Sequence, residues 1–208
     1  DVALDRDVIF LAEAGEEGTT RVGIDFMTTQ HFDAIDAEYC LAEGGGVRRE
    51  GGRVKFASVG TMEKVPRTVE LIARGPSSHG SVPTKGNAVA RLAKAVAALT
   101  DWTPPIRLNE TTREYFTRAA ALATRDDAAR FRALLGTDPR AADEAAQYFQ
   151  EHAPGYAAIL RPTISPTVLR AGNRYNVIPS EATATLDVRL LPDDDPARIL
   201  GELTAVIK

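Results

Sequence analysis

The chain has 208 residues, 44% of them apolar and 26% charged, with a formal net charge of −4 and a pI near 5.5. That length can bury one good core or two small ones, and the acidic balance with scattered Lys and Arg argues against a nucleic-acid partner. No apolar run approaches the roughly 20 residues of a membrane span, and the single Cys40 can form no internal disulfide, which fits a cytoplasmic protein.

Asp1 to Asp5 is expected to enter a strand at once, with no initiator Met and no targeting segment before it. The run Val8-Ile9-Phe10-Leu11 reads as a buried central strand of a parallel sheet, stopped by Gly15 and opening onto Glu16-Glu17-Gly18. Adjacent carboxylates at such a strand end can divide two tasks, one binding a metal and the other accepting a proton from a metal-bound water. Acids at a helix start also complement its dipole, so the pair alone leaves both readings open. Thr19-Thr20 is expected to cap a helix carrying Val22, Phe26, Met27 and Ile35, with His31 as a partly exposed helix residue. A second short apolar run, Glu38 to Glu43, repeats the pattern of strand, acid and glycines. Cys40 within it reads as a small packed hydrophobe. Glu43 is the favoured acid here, with Asp36 and Glu38 ranked below it.

Val47 to Arg49 and Val54 to Ser58 flank Gly51-Gly52 as a β-hairpin. Pro66 stiffens the crossing into a strand over Thr68 to Arg74 and marks the expected domain boundary, giving domains 1–66 and 67–208. Asn87 opens a helix with Val89, Leu92, Val96 and Leu99 at the helical period, stopped by Trp102 and Pro104-Pro105. An Ala-rich, charged helical insertion follows at about 106–153, with Asp138-Pro139 as a cap and first helical position, and with His152 near a helix C-terminus. Alternating runs at Ile164 to Arg170 and Ala182 to Leu190 give two half-buried strands, and a last helix starts at Asp195-Pro196. The order β-α-β-β-α points to a ferredoxin-like sandwich that wants one more strand. The helical pattern from Leu203 to Lys208 has no stop signal, so both ends read as cut.

The ordered set Glu16-Glu17, Glu43-Gly44-Gly45, Gly75-Pro76-Ser77-Ser78-His79-Gly80-Ser81-Val82-Pro83, Asn87-Ala88-Val89, Asn176-Val177-Ile178-Pro179 and Leu186-Asp187-Val188-Arg189 resembles the M20 family of zinc metallopeptidases and amidohydrolases. The likeness runs from about Val8 to Lys208. It implies an α/β fold: part of a zinc-peptidase catalytic domain, then an α+β lid or dimerisation domain with a helical insertion. It also implies a site with two zinc ions, cobalt or manganese being alternatives, bridged by an Asp and a water. By motif position Glu16 would be the general base, while Glu17 and Glu43 would each bind a zinc. His79 would reach the oxyanion in the partner subunit of a homodimer, and Asn176 and Arg189 would bind the substrate's carbonyl or carboxylate. Without the resemblance, His79 reads as a turn histidine, Asn176 as a turn residue and Arg189 as a strand-end charge.

The implied reaction is hydrolysis of an amide or peptide bond in a small peptide or N-acyl amino acid. The family's His-x-Asp motif, bridging Asp and last His ligand have no match here, so the chain alone is expected to bind zinc weakly and to be inactive. The competing reading is a dimerisation or interaction module without catalysis.

Overall fold

The structure is a computed structural model that describes residues 3–208. The chain forms two compact units, Asp1–Gly45 and Gly46–Lys208. Its mixture of helices and sheets is the α/β composition expected.

The first unit corrects the sequence reading. Val8 to Leu11 forms no strand, and Phe10 is 90% exposed. A central strand exists only where neighbours on both edges take its N–H and C=O groups, and among the described residues nothing pairs with this run. The run Glu38 to Glu43 likewise forms no strand, and Cys40 is exposed rather than packed. Of the expected opening strand, Asp1 and Val2 lie outside the described residues, and Ala3 to Asp5 have no regular structure. The expected Thr-capped helix is divided. A 3-10 turn at Thr20–Val22 precedes helix α1 (Ile24–Gln30), Thr19 makes no side-chain cap, and His31 is the C-terminal cap residue.

The second unit begins with the hairpin β1 (Gly46–Glu50) and β2 (Arg53–Ser58), turning at Gly51-Gly52. The main chain then runs β3 (Val65–Arg74), β4 (Ser78–His79), α2 (Ala88–Asp101), α3 (Glu110–Leu122), α4 (Arg125–Leu135), α5 (Pro139–His152), α6 (Pro154–Ala158), β5 (Thr163–Ala171), β6 (Val177–Ile178), β7 (Glu181–Leu190) and α7 (Pro196–Val206). The caps are those the residue types dictate: Asn87, Asn109, Thr124, Asp138 and Asp195 each accept backbone N–H bonds at a helix start. Pro139 and Pro196 follow their caps at the first helical position, where a missing N–H costs nothing.

Strands β3, β7 and β5 form an antiparallel sheet in that order. Pro66 is the second residue of β3, and among the described residues β3 is an edge strand, the place where a sheet tolerates proline. Along β7 the side chains alternate. Ala182, Ala184, Leu186, Val188 and Leu190 are buried against α2 and α7, through Leu92, Leu99, Ile199 and Leu203. Asp187 and Arg189 take the opposite face. With α2 and α7 on one face of a β3-β7-β5 sheet, the order matches the ferredoxin-like plan.

The helical insertion has its own core of Phe116, Phe131, Phe149 and Leu160, with Tyr156 packed on it. Its neck is closed by main chain and arginine. The Arg107 N–H donates to Leu160 O at 2.9 Å, and Arg161 Nη1 donates to Pro104 O at 2.9 Å. Arg107 also pairs with the buried carboxylate of Asp194, which Arg198 reaches at 3.1 Å and to which the Leu191 N–H donates at 2.9 Å.

Lys64 ties the start of β3 to the end of the insertion. Its ammonium donates to Ala158 O and Arg161 O, both at 2.9 Å, and to Thr163 Oγ1 at 3.0 Å. Burial pushes this ammonium down to about 8 against 10.5 in the open chain, with Asp194 pulling the other way. Between those two values the unfolded chain holds the proton and the folded chain does not, so stability rises with pH across the window. The urea midpoint is expected to climb from pH 8 towards 10.5, and Lys64→Met should remove that climb. An identical climb in the variant would show that Lys64 is not its source.

Candidate active site

Glu16 and Glu17 occupy a tight turn. The N–H groups of Gly18 and Thr19 donate to Gly15 O at 3.2 and 2.7 Å, so the two acids ride its outer positions. Gly15 has φ +75°, and a Cβ there would lie 2.6 Å from Thr19 O, so no other residue fits the turn. Within the same unit the chain folds Glu43 back towards this turn. The negative charge of Glu17, then that of Glu43, then slight desolvation and Glu13, raise the Glu16 carboxyl above its ordinary value. Like charges around a carboxylate disfavour its ionised form and so make it a stronger base than one standing alone.

As a metal site this cluster is incomplete. Zinc takes four ligands in a structural site and three protein ligands plus a water in a catalytic one. Among the described residues no group of three or more His, Cys, Asp or Glu side chains is arranged to hold a metal. Glu17 and Glu43 would supply two carboxylate ligands, and among the described residues no third His, Cys, Asp or Glu completes a set with them. A zinc centre built on this pair needs further ligands from outside the chain's own described residues.

The second unit gathers a separate set of the expected residues. The loop after β3 is drawn against the segment before β7 by a ladder of bonds. The Gly75 N–H donates to Ser180 O at 2.9 Å, Ser77 Oγ to Ile178 O at 2.8 Å, and the Gly80 N–H to Asn176 O at 2.7 Å. Between these, Ser78 pairs with Ile178 and His79 with Val177 as the two-residue ribbon of β4 and β6. Close approach is the reason for the glycine at 75: a Cβ would sit 1.9 Å from Gly86 O, closing the space in which the loop turns into α2.

The consequence is chemical. His79 and Asn176, far apart in sequence, become neighbours on one ribbon, His79 exposed and Asn176 partly so. The ring of His79 is held by Ser81, whose Oγ lies 2.7 Å and whose backbone N–H lies 3.2 Å from Nδ1. The loop behind it is closed by Val82 N–H donating to His79 O at 2.9 Å and Ser78 Oγ donating to Val82 O at 3.0 Å. Ser77, Ser78 and Ser81 each spend their hydroxyl on the loop's shape. Sequence reading singled out His79 and passed over these serines, although the density of Ser and Gly around it was their signal.

Arg189 is not brought to this ribbon. At the strand rise of about 3.4 Å per residue it lies roughly 27 Å along β7 from Glu181, the end at which the ribbon joins. Its guanidinium is held on the same strand face by Asp187, Nε to Oδ1 at 2.8 Å and Nη2 to Oδ2 at 3.0 Å. That bidentate pair keeps the guanidinium well charged. His31 and His152 are engaged elsewhere: His31 ends α1, and His152 stacks on Tyr148 with its Nδ1–H donating to Tyr148 O at 2.9 Å. No helix among the described residues is long and apolar enough to cross a membrane.

Residues 62–208 match the family described as peptidase dimerisation domain, M20_dimer. The chain is 30% identical over 154 residues to Probable carboxypeptidase S-like 2 of Dictyostelium discoideum, covering 73% of this chain and 28% of that protein. It is 29% identical over 174 residues to the N-fatty-acyl-amino acid synthase/hydrolase of Homo sapiens, covering 82% of this chain and 34% of that one. It therefore spans about a third or less of the curated relatives it matches. Among solved structures, an M20 family metallo-carboxypeptidase from Sulfolobus solfataricus aligns with a TM-score of 0.43 and 23% identity, over 70% of this chain and 40% of that one.

Proposed function

The chain belongs to the M20 peptidase dimerisation domain family, and on that premise we propose that the whole protein is a hydrolase that cleaves an amide or peptide bond in a small, carboxylate-bearing substrate. The observation that supports the proposal is the ribbon of β4 and β6, on which Ser81 holds an exposed imidazole, with the Asn176 backbone joined to the same loop through the Gly80 N–H. The names of the relatives, a carboxypeptidase and an N-fatty-acyl-amino acid hydrolase, support amide hydrolysis and a substrate of peptide or N-acyl amino acid type.

In this reading His79 presents Nε2–H to the oxyanion that forms as the carbonyl is attacked, and Asn176 orients the same carbonyl. The His79 ring is held by Ser81 before the substrate arrives, so that donor needs little reorganisation at the moment of reaction. Glu16 takes the proton of the attacking water and returns it to the leaving amine. Glu17 and Glu43 would hold zinc together with ligands from other parts of the protein, and zinc, when bound, would polarise the carbonyl and acidify the water. Arg189 would meet a substrate carboxylate only with the N–H groups that Asp187 does not use, so it is the least supported member of the set. Family membership also supports a homodimer formed through residues 67–208, with His79 of one subunit serving the site of the other.

The test is metal content by elemental analysis of the whole protein, beside Glu17→Gln. About two zinc ions per chain, with a clear loss in the variant, is the expected result. Metal-free whole protein that still dimerises would overturn the hydrolase and leave the domain as an association module.

A further inference from the structure

We propose that Ser81 is a positioning residue that fixes the tautomer of His79, and so decides that Nε2 is the nitrogen offering a proton. The proposal rests on the reading of His79 as oxyanion donor and adds the group through which that role is set. Neutral imidazole carries its proton on either nitrogen, and the partner of one nitrogen decides the state of the other. Here Nδ1 faces two donors from one residue, the Ser81 hydroxyl at 2.7 Å and the Ser81 backbone N–H at 3.2 Å.

The hydroxyl could serve either tautomer, because an O–H donates and its oxygen accepts. The backbone N–H cannot. A proton on Nδ1 would confront that N–H directly, so Nδ1 must accept, the hydroxyl donates to it as well, and the proton resides on Nε2. The hydroxyl bond, the shorter of the two, holds the ring against that N–H. The bonds from Val82 N–H to His79 O and from Ser78 Oγ to Val82 O close the loop that carries both, and the Gly80 N–H pins it to Asn176 O. His152 provides the contrast within the same chain: its Nδ1 faces a carbonyl, which only accepts, so there the proton sits on Nδ1. An oxyanion donor in the wrong tautomer presents a lone pair to a negative charge, which makes the choice of nitrogen decisive for the reaction.

The experiment is nitrogen-15 NMR of the full chain, whose three histidines are readily assigned, in mildly alkaline solution. The expected spectrum shows His79 as Nε2–H, with scalar coupling across the hydrogen bond between the Ser81 amide and Nδ1, and His152 as Nδ1–H. In Ser81→Ala the backbone N–H remains but the short hydroxyl bond that holds the ring against it is gone, so the ring turns away, the coupling weakens and the second tautomer of His79 appears. Ser81→Thr, which keeps the hydroxyl, restores both. In the whole protein Ser81→Ala should lower kcat by roughly 10- to 100-fold with little change in KM, and Ser81→Thr should recover most of it.

An Nδ1–H tautomer at His79, or spectra unchanged by Ser81→Ala, would overturn the positioning role. The reading beneath it is judged separately, by kcat of His79→Ala in the whole protein.

Discussion

Replacing His79 with alanine in the whole protein is expected to lower kcat by roughly 10²- to 10³-fold while leaving KM nearly unchanged. The asymmetry follows from what the imidazole is there to do. A carbonyl oxygen in the ground state carries little charge, whereas the tetrahedral intermediate carries a full one, so a fixed donor is felt mainly on the way to the transition state. The ring is exposed, and its Nδ1 is occupied by Ser81, which leaves Nε2–H as the outward-facing donor. Glutamine places an N–H near the position of Nε2 and should recover part of the loss. Asparagine, which reaches only to the position of Nδ1, should not. A uniform rise in KM with kcat preserved would mean that His79 binds substrate without stabilising the transition state, and an unchanged kcat would remove it from the site.

The second large effect lies away from the chemistry. Phe149→Ala is expected to destabilise the helical insertion by about 3–5 kcal/mol, the range for truncating a fully buried aromatic side chain. Phe149 is 1% exposed, stacks on Phe131 with centroids 4.9 Å apart, and meets Tyr156 edge-on at 5.4 Å. Helix α5 otherwise fully buries only alanines, Ala142, Ala145 and Ala146, none of them large enough to fill the void. Because this core is separate from the two clusters under the sheet, the loss should be local. Hydrogen exchange is expected to show α3 to α6 losing protection while β3 and β7 keep theirs. Equal loss in both would mean that the neck at Arg107, Arg161 and Lys64 couples the insertion to the sheet as one cooperative unit.

Local signals made much of the second unit legible. The period of α2 and its Asn87 cap, the Asp-Pro starts of α5 and α7, the Gly-Gly turn of β1 and β2, and the alternation along β5 and β7 are short-range properties, and each element stands within a few residues of its expected place. The succession of motifs likewise pointed to the family that residues 62–208 match. Where the reading depended on partners, it failed. Val8 to Leu11 has the composition of a central strand, but a strand is a property of a pair, and among the described residues it has no neighbour.

The amino-acid order alone thus decided where the chain turns, caps and alternates, since those outcomes depend on backbone sterics and side chains a few residues away. Tertiary structure decided which distant groups meet. It alone joined the Asn176 backbone to the His79 loop beside the two-residue ribbon, turned Nδ1 of His79 onto Ser81, engaged Arg189 with Asp187 at the far end of β7, and brought the charge of Glu43 to bear on Glu16. A side chain's chemistry depends on the charges and donors within a few ångströms of it, and for those groups that neighbourhood is set by packing and strand pairing rather than by adjacency in the chain.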